Sequence, residues 1–141
     1  MDSFTLLGLH YFCCSFMTGL IWVIQIIHYP SFKFLDRNRF SEFEKFHIRR
    51  ITSLVAPIML LELGSGIGLF YLWKKVYFWP MLINLVLMAL IWLVTLFFSK
   101  PYHRRLLKRF DIKLLNKMIN TNWIRTILWS IRCLILGLFV F

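Results

Sequence analysis

Four long apolar stretches constrain this chain more than any other feature of its sequence. Each is long enough to cross the hydrocarbon core of a bilayer as a helix, for which ~20 apolar residues suffice. The chain is 60% hydrophobic and 16% charged, whereas a soluble domain carries about 25% charged residues. We therefore predict an all-α fold, a four-helix transmembrane bundle that forms one domain over residues 1–141, with spans at about 5–28, 51–73, 78–99 and 123–141.

The positive charges are concentrated in two of the connections between these spans. Six Lys and Arg residues lie in 29–50 and seven in 100–120, but only two lie in the turn after the second span. Such an excess is typical of cytoplasmic loops. We predict that these two basic loops face the cytoplasm, where they attract anionic lipid headgroups, and that both termini lie outside it. Because the charge flanks apolar spans, the net charge of +11 does not indicate nucleic acid as a partner.

Local signals predict where helices begin and end. No basic residue precedes the first apolar run, so we expect a retained helix rather than a signal peptide. Tyr29-Pro30 is expected to end this helix, because proline lacks an amide donor. Ser41 and Glu44 have the spacing of a capping box, which predicts the start of a helix before the second span.

The basic stretch 100–120 has an apolar stripe, which predicts a cytoplasmic-side amphipathic helix between helices 3 and 4. It either lies on the membrane or extends the third span. Its stripe consists of Leu107, Phe110, Leu114 and Met118.

Two ionisable residues lie deep within spans. Glu62 is about eleven residues into the second span and Arg132 about nine into the fourth, at ~1.5 Å per residue. A charge at that depth costs at least ~2.5–3.5 kcal/mol and so requires a partner. We predict that Glu62 and Arg132 pair with each other, either as a structural ion pair or as part of a site for a substrate, an ion or a proton.

Further polar residues extend this predicted buried polar site toward the cytoplasmic surface. Gln25 lies within the first span and needs an internal partner. Asn122, Arg125, Trp129 and Arg132 share one face of the fourth helix by their spacing. The predicted site therefore comprises Gln25, Glu62, Arg125 and Arg132.

Three histidines flank the spans on the predicted cytoplasmic side. His28 ends the first span, His47 precedes the second and His103 follows the third. Imidazole groups at helix ends can bind a transition metal or haem or relay protons near neutral pH. We treat a metal or haem cofactor held by these three residues as one hypothesis, and ordinary interfacial polar residues as the other.

Other polar residues within the spans are assigned structural roles. His10 and Cys14 are spaced i, i+4, and Cys133 lies at a similar depth, but three free cysteines do not form a disulfide framework. We expect these three residues to belong to ordinary apolar faces rather than to a soft-metal site. Asn84 is expected to hydrogen-bond between helices.

Gly64 and Gly68 are spaced as a Gly-x-x-x-Gly pair in the second span. Such small-residue faces allow another helix to pack closely. The pair indicates that a homo-oligomer or a partner in a membrane complex is possible.

Three segments resemble small bacterial four-helix integral membrane proteins of unknown function. They are Trp22 to Pro30, Pro57 to Glu62 and Asn122 to Thr126. The resemblance implies a four-helix membrane fold and no activity. We expect the bacterial inner membrane as the location of the protein. More distantly, the Asn-Trp-x-Arg segment is similar to anthrone-oxygenase-like membrane proteins, which implies redox chemistry.

These observations lead to three functional hypotheses. The first is a membrane-embedded polar site, open to the cytoplasmic side, that binds a small lipophilic molecule or a metal or haem cofactor, with oxidoreductase activity as one form of it. The second is a non-enzymatic accessory or assembly subunit of a membrane complex. The third is a small transporter or proton pathway that uses Glu62 and His28.

Overall fold

The computed structural model describes residues 2–141, so Met1 of the predicted domain lies outside it. The described residues form four long helices and no strand. All four helices are long and apolar enough to cross a membrane, which confirms the predicted four-helix transmembrane bundle. The helices are α1 (Ser3–Phe34), α2 (Phe40–Trp73), α3 (Phe78–Lys108) and α4 (Ile112–Val140).

The helices extend beyond the predicted spans at the end of the bundle that carries segments 29–50 and 100–120, here called the basic end. The prediction that Tyr29-Pro30 ends the first helix is wrong, because α1 continues through Pro30 to a last 3₁₀ turn at Phe32–Phe34. A π turn at Ile24–His28 precedes this proline, with the Tyr29 amide donating to the Ile24 carbonyl.

A second π turn, Thr95–Ser99, precedes Pro101 in the same way in α3. A proline ring clashes with the carbonyl four residues before it in a regular helix. In both helices that carbonyl lies inside the wider turn, which explains how each helix passes its proline without ending.

Side-chain caps are present at the starts of α1 and α4 but not at the start of α2. Asp2 caps α1 by accepting from the Thr5 amide at 2.7 Å, and this bond lowers the pKa of the Asp2 carboxyl. Asp111 caps α4 in the same way. The predicted capping box at Ser41 and Glu44 is wrong, because α2 begins at Phe40 without a side-chain cap and both residues lie inside it. The Ser41 hydroxyl instead donates to the Leu107 carbonyl of α3 at 2.8 Å.

The predicted amphipathic helix between helices 3 and 4 is present as an extension of the third helix. Residues Lys100–Lys108 continue α3, and Ile112–Val140 begins after a short break. The predicted apolar stripe is therefore divided between two helices: Met118 is buried, and Leu107, Phe110 and Leu114 are half-buried. The fully buried residues Leu106 and Leu115 lie next to Leu107 and Leu114, outside the predicted stripe.

The four helices pack in a ring in which α1 contacts α2 and α4, and α3 contacts the same two helices. The outer surface is apolar, with side chains such as Phe12, Ile27 and Leu138 exposed. Among residues 2–141, twelve polar or charged side chains are buried inside. This inverted distribution is expected of a bundle whose solvent is lipid, since polar groups there must find partners within the protein.

Of the predicted glycine pair in α2, Gly68 packs closely against another helix and Gly64 does not. A Cβ on Gly68 would lie 3.1 Å from Leu6 of α1, and one on Gly66 would lie 2.9 Å from His10, whereas Gly64 has open space around it. The close approach is therefore between α1 and α2 of the same chain and is made by Gly66 and Gly68. Cys13, Cys14 and Cys133 are free thiols, and the first two are buried in the apolar interior.

Candidate functional site

The buried polar residues form two groups rather than the single interior site that the sequence predicts. The first, the four-helix network, takes residues from every helix: His10, Glu62, Ser65, Asn84, Trp129 and Arg132. The second, the histidine cluster, lies at the basic end and consists of His28, Tyr29, Glu44, His47 and His103.

An ion pair lies at the centre of the four-helix network. Arg132 Nη1 donates to Glu62 Oε1 at 2.6 Å, and both side chains are almost fully buried. The predicted pairing is thus confirmed. Trp129 Nε1 donates to the second carboxylate oxygen at 3.3 Å, and Arg132 Nε donates to Asn84 Oδ1 at 3.0 Å. Asn84 therefore makes the interhelical bond that the sequence predicts.

His10 completes this network, contrary to the expectation that it belongs to an apolar face. Its Nε2 accepts from Asn84 Nδ2 at 3.1 Å, and its Nδ1 donates to the Ser65 hydroxyl at 2.9 Å. Ser65 in turn donates to the Leu61 carbonyl at 2.7 Å. Since each atom has one role, the imidazole is held in a single tautomer by residues of two other helices.

The histidine cluster brings together the three histidines that the sequence places at this end. His28 Nε2 and His47 Nδ1 are hydrogen-bonded at 2.9 Å. His103 Nδ1 is hydrogen-bonded to Glu44 Oε1 at 2.5 Å, and His103 Nε2 is hydrogen-bonded to the Tyr29 hydroxyl at 3.0 Å. The ring centroids of His47 and His103 are 5.5 Å apart.

Arg125 lies between the two groups and is 7% exposed. Its Nη1 donates to Asn122 Oδ1 at 3.1 Å and to the Ser99 hydroxyl at 3.3 Å, and its guanidinium lies 5.2 Å from the Trp129 ring centroid. Among residues 2–141, no carboxylate forms a salt bridge with Arg125. Arg125 is thus a buried cation without a counter-ion, unlike Arg132.

Gln25 also belongs to the basic end. It accepts from Asn122 Nδ2 at 2.8 Å and donates to the Ile119 carbonyl at 3.2 Å, so the internal partners predicted for it are present. Asn122, Arg125, Trp129 and Arg132 are all buried, which confirms the predicted polar face of α4. Of the predicted site, Gln25 and Arg125 lie near the histidine cluster, and Glu62 and Arg132 lie in the four-helix network.

A cavity of about 180 Å³ lies next to Arg125 and the histidine cluster. Most of its wall is apolar and comes from α1, α2 and α3, with Ile21, Met59 and Trp92 as examples. Its polar lining consists of Tyr29, Thr52, Thr95, Ser99, Lys100, His103 and Arg125. The cavity therefore combines an apolar interior with three cationic or imidazole side chains.

A separate groove of about 250 Å³, lined by His28, His47, Arg50 and neighbouring apolar residues, lies on the other side of the cluster. The histidine cluster thus separates two spaces, with Tyr29 and His103 lining the cavity and His28 and His47 lining the groove.

The two polar groups differ in how fully they are paired. Within residues 2–141, three buried side-chain atoms lack a hydrogen-bond partner: Glu44 Oε2, His47 Nε2 and Arg125 Nε. All three are at the basic end and none is in the four-helix network. Because an unpaired buried polar group is costly and therefore uncommon, this end of the bundle is the candidate functional site.

The geometry gives the histidines hydrogen-bonding roles. His28 and His47 bind each other, and both nitrogens of His103 are occupied by Tyr29 and Glu44. No group of three or more His, Cys, Asp or Glu side chains in the described part of the chain is arranged to hold a metal ion. The metal or haem site stays a prediction.

Two important residues of this site, Glu44 and Tyr29, are not among the predicted site residues. The capping-box pattern and the helix end at Tyr29-Pro30 are the local interpretations of these two positions. The signal for Glu44 is its i, i+3 spacing to His47, which places both side chains on one helical face.

The comparisons with known proteins add no relative. No family model, no curated protein and no solved structure matches the chain.

Proposed function

We propose that this protein binds a small lipophilic molecule with an oxygen-bearing head group in the cavity beside Arg125. The observation that carries the proposal is a buried arginine, with one unpaired N–H and no carboxylate partner, at the polar end of an apolar cavity. An anionic or carbonyl oxygen on a ligand in the cavity would pair with the Arg125 guanidinium.

The shape and lining of the cavity indicate the ligand class. Binding sites for small molecules are mostly apolar with a few polar groups that fix orientation, and they usually measure about 300–1,000 Å³. At about 180 Å³, this cavity would hold a small molecule or the head of a longer one that continues between the helices. Arg125, Tyr29 and His103 would bind the head group, while residues such as Ile21 and Met59 would contact the apolar part.

The test is to identify what the protein carries from its native membrane. Wild type, Arg125→Met and the surface control Arg109→Met would be purified in mild detergent, and their bound lipophilic compounds compared by mass spectrometry. We expect one compound to co-purify with wild type and Arg109→Met and to fall about tenfold or more in Arg125→Met, since a charge-assisted hydrogen bond is worth roughly 1.5–3 kcal/mol. Equal recovery from all three proteins, or none from any, would refute the proposal.

The same preparation tests the metal or haem hypothesis. An absorption spectrum and elemental analysis of wild type beside His28→Ala would show a Soret band or stoichiometric metal that is lost in the variant if the histidines hold a cofactor. In that case oxidoreductase activity becomes the leading function. A colourless and metal-free protein would instead support binding of a lipophilic molecule alone.

We also propose that the basic end faces the cytoplasm of a bacterial cell, with both termini outside. The thirteen Lys and Arg residues of 29–50 and 100–120, against two after the second span, support this orientation and contacts with anionic lipid headgroups. In a cysteine-free background, Lys75→Cys should react with an impermeant maleimide in spheroplasts, and Arg39→Cys should react only after lysis. The reverse pattern would invert the orientation.

A further inference from the structure

The histidine cluster forms two hydrogen-bonded halves that extend from the groove toward the cavity. On the groove side, His28 is hydrogen-bonded to His47 Nδ1. On the cavity side, Glu44 Oε1 is hydrogen-bonded to His103, and His103 Nε2 to Tyr29, which lines the cavity. The halves are therefore two short chains of titratable groups, one open at each space.

Each half ends in an unpaired atom on α2. His47 Nε2 and Glu44 Oε2 are buried and have no hydrogen-bond partner. Their residues are three positions apart in α2, so the two side chains lie on one face of the helix. One water molecule could accept from His47 and donate to Glu44, which would satisfy both atoms. Buried waters occupy such sites, typically with two to four polar partners.

His47, Glu44 and His103 each have two polar atoms, with a different neighbour available to each atom. His47 is hydrogen-bonded to His28 through Nδ1, and its Nε2 is unpaired. Glu44 has Oε2 on the water side and Oε1 on His103. His103 has Nδ1 on Glu44 and Nε2 on Tyr29. This arrangement is what proton relay requires, because a proton must enter a group at one atom and leave it from another.

We propose that His28, His47, a bridging water, Glu44, His103 and Tyr29 form a proton relay between the groove and the cavity. The relay would exchange a proton with the head-group oxygen of the bound molecule, so it rests on the proposed function for its substrate. If the relay exchanges a proton with the ligand, the ligand must have a protonatable oxygen in its head group, such as that of a phenol, an enol or a carboxylic acid.

The transfer balances without an oxidant or a reductant. At the start the His103 proton is on Nε2 and the Glu44 proton is on Oε1. When the Tyr29 O–H bond breaks, an O–H bond forms on the ligand oxygen, and the His103 Nε2 proton moves to the Tyr29 oxygen. The Glu44 Oε1 proton moves to His103 Nδ1, while the water gives a proton to Glu44 Oε2 and takes the one on His47 Nε2. The His28 Nε2 proton moves to His47 Nδ1, and His28 takes one proton from the groove at Nδ1. The chain resets when each histidine moves its remaining proton from Nδ1 to Nε2 and the Glu44 carboxyl rotates to return its proton to the His103 side.

The relay ends at the cavity and does not involve Glu62. The polar atoms of the four-helix network are already paired to one another, and its histidine is held in one tautomer by Asn84 and Ser65. The pathway therefore differs from the predicted one through Glu62 and His28, although it begins at the same His28.

The relay can be tested without a ligand, by following deuterium exchange of the Tyr29 hydroxyl. Protein would be diluted rapidly into D₂O, and the tyrosine C–O band recorded by infrared spectroscopy, with the Tyr29 component identified as the band lost in Tyr29→Phe. We expect exchange to slow about tenfold or more in His28→Phe and in Glu44→Gln, since blocking one hop raises the barrier for all protons that follow this route.

Glu42→Gln is the matched control, because Glu42 lies on the same helix but is exposed. It should exchange at the wild-type rate. If Glu44→Gln does not fold, the partly exposed His28 at the outer end still tests the relay.

Unchanged exchange in a folded His28→Phe protein would overturn the relay, because it would mean that Tyr29 exchanges directly through the cavity. Failure to recover a co-purifying compound would instead overturn the proposed binding function and leave this measurement intact. The two proposals therefore fail separately.

Discussion

The four-helix network and the basic end each contain a buried arginine from the same face of α4, and these two arginines are paired very differently. Arg132 donates to Glu62 and Asn84, and its neighbour His10 is fully hydrogen-bonded. Arg125, two turns earlier, has hydroxyl and amide partners but no carboxylate and one unpaired N–H. On one face of α4, Arg132 thus connects helices, whereas Arg125 is a buried charge without a carboxylate partner.

This difference indicates which of the two regions is built for stability and which for binding. A completely paired network fixes the positions of the helices relative to one another, and it has no free polar group to bind a ligand. An unpaired donor beside a cavity weakens the folded state unless something binds there. The predictions that follow compare the two regions through the free energy of unfolding, measured by circular dichroism during titration with SDS in mixed micelles.

Removing the cation of the four-helix network should have the largest effect. Arg132→Met leaves the Glu62 carboxylate buried without its partner, and breaking a buried pair in this way costs about 3–5 kcal/mol. The double variant Glu62→Leu/Arg132→Met removes both charges and should recover most of that loss. If the single variant is as stable as wild type, the ion pair does not hold the helices together.

Crowding the same network should have the next largest effect. The new methyl group of Gly66→Ala would lie 2.9 Å from the ring of His10, which is fixed by hydrogen bonds on both sides. Such overpacking costs about 1–3 kcal/mol. Gly64→Ala is the control: its methyl group would meet open space, so we expect no loss and a gain of up to ~1 kcal/mol from helix propensity. Equal losses in the two variants would contradict the close approach of α1 and α2 at Gly66.

At the basic end, the bond between Ser41 and the Leu107 carbonyl joins α2 to the end of α3. Ser41→Ala should reduce stability by about 0.5–1.5 kcal/mol, the usual value for one hydrogen bond. Ser53→Ala is matched to it, because the Ser53 hydroxyl donates only within its own helix, to Arg50. A loss from Ser53→Ala as large as that from Ser41→Ala would argue against this link.

Removing the unpaired arginine should have the smallest effect on stability. Arg125→Met leaves no carboxylate without a partner, so we expect a change within about 1 kcal/mol, or a small gain, in contrast to Arg132→Met. The same variant should lose the co-purifying molecule. A loss of stability as large as that of Arg132→Met would show that Arg125 is a structural residue.

The parts of this structure that hydropathy and depth determine were predictable from the sequence. Four apolar runs predicted four helices, and two charges far from any span end predicted the pair of Glu62 and Arg132. Both predictions depend on the high cost of leaving polar groups in lipid, which applies whatever the details of packing.

The residues that were misassigned depend on which way a side chain faces. Glu44 matched a capping box, His10 had apolar neighbours, and Tyr29 preceded a proline. In each case the local pattern had an ordinary explanation, whereas the observed partner belongs to another helix: His103 for Glu44 and for Tyr29, and Asn84 for His10. Local spacing contains no information about such distant partners.

The two π turns have a consequence for the angular positions of the residues that follow them. Each adds one residue to a turn of its helix, so every later side chain is rotated by about 100° around the helix axis relative to an uninterrupted helix. Tyr29 in α1 and His103 in α3 both lie beyond these turns, while His10 and Asn84 lie before them. A single-residue deletion within either turn would therefore leave the side chains of the four-helix network in their present orientation. It would rotate the residues of one cavity wall away from Arg125.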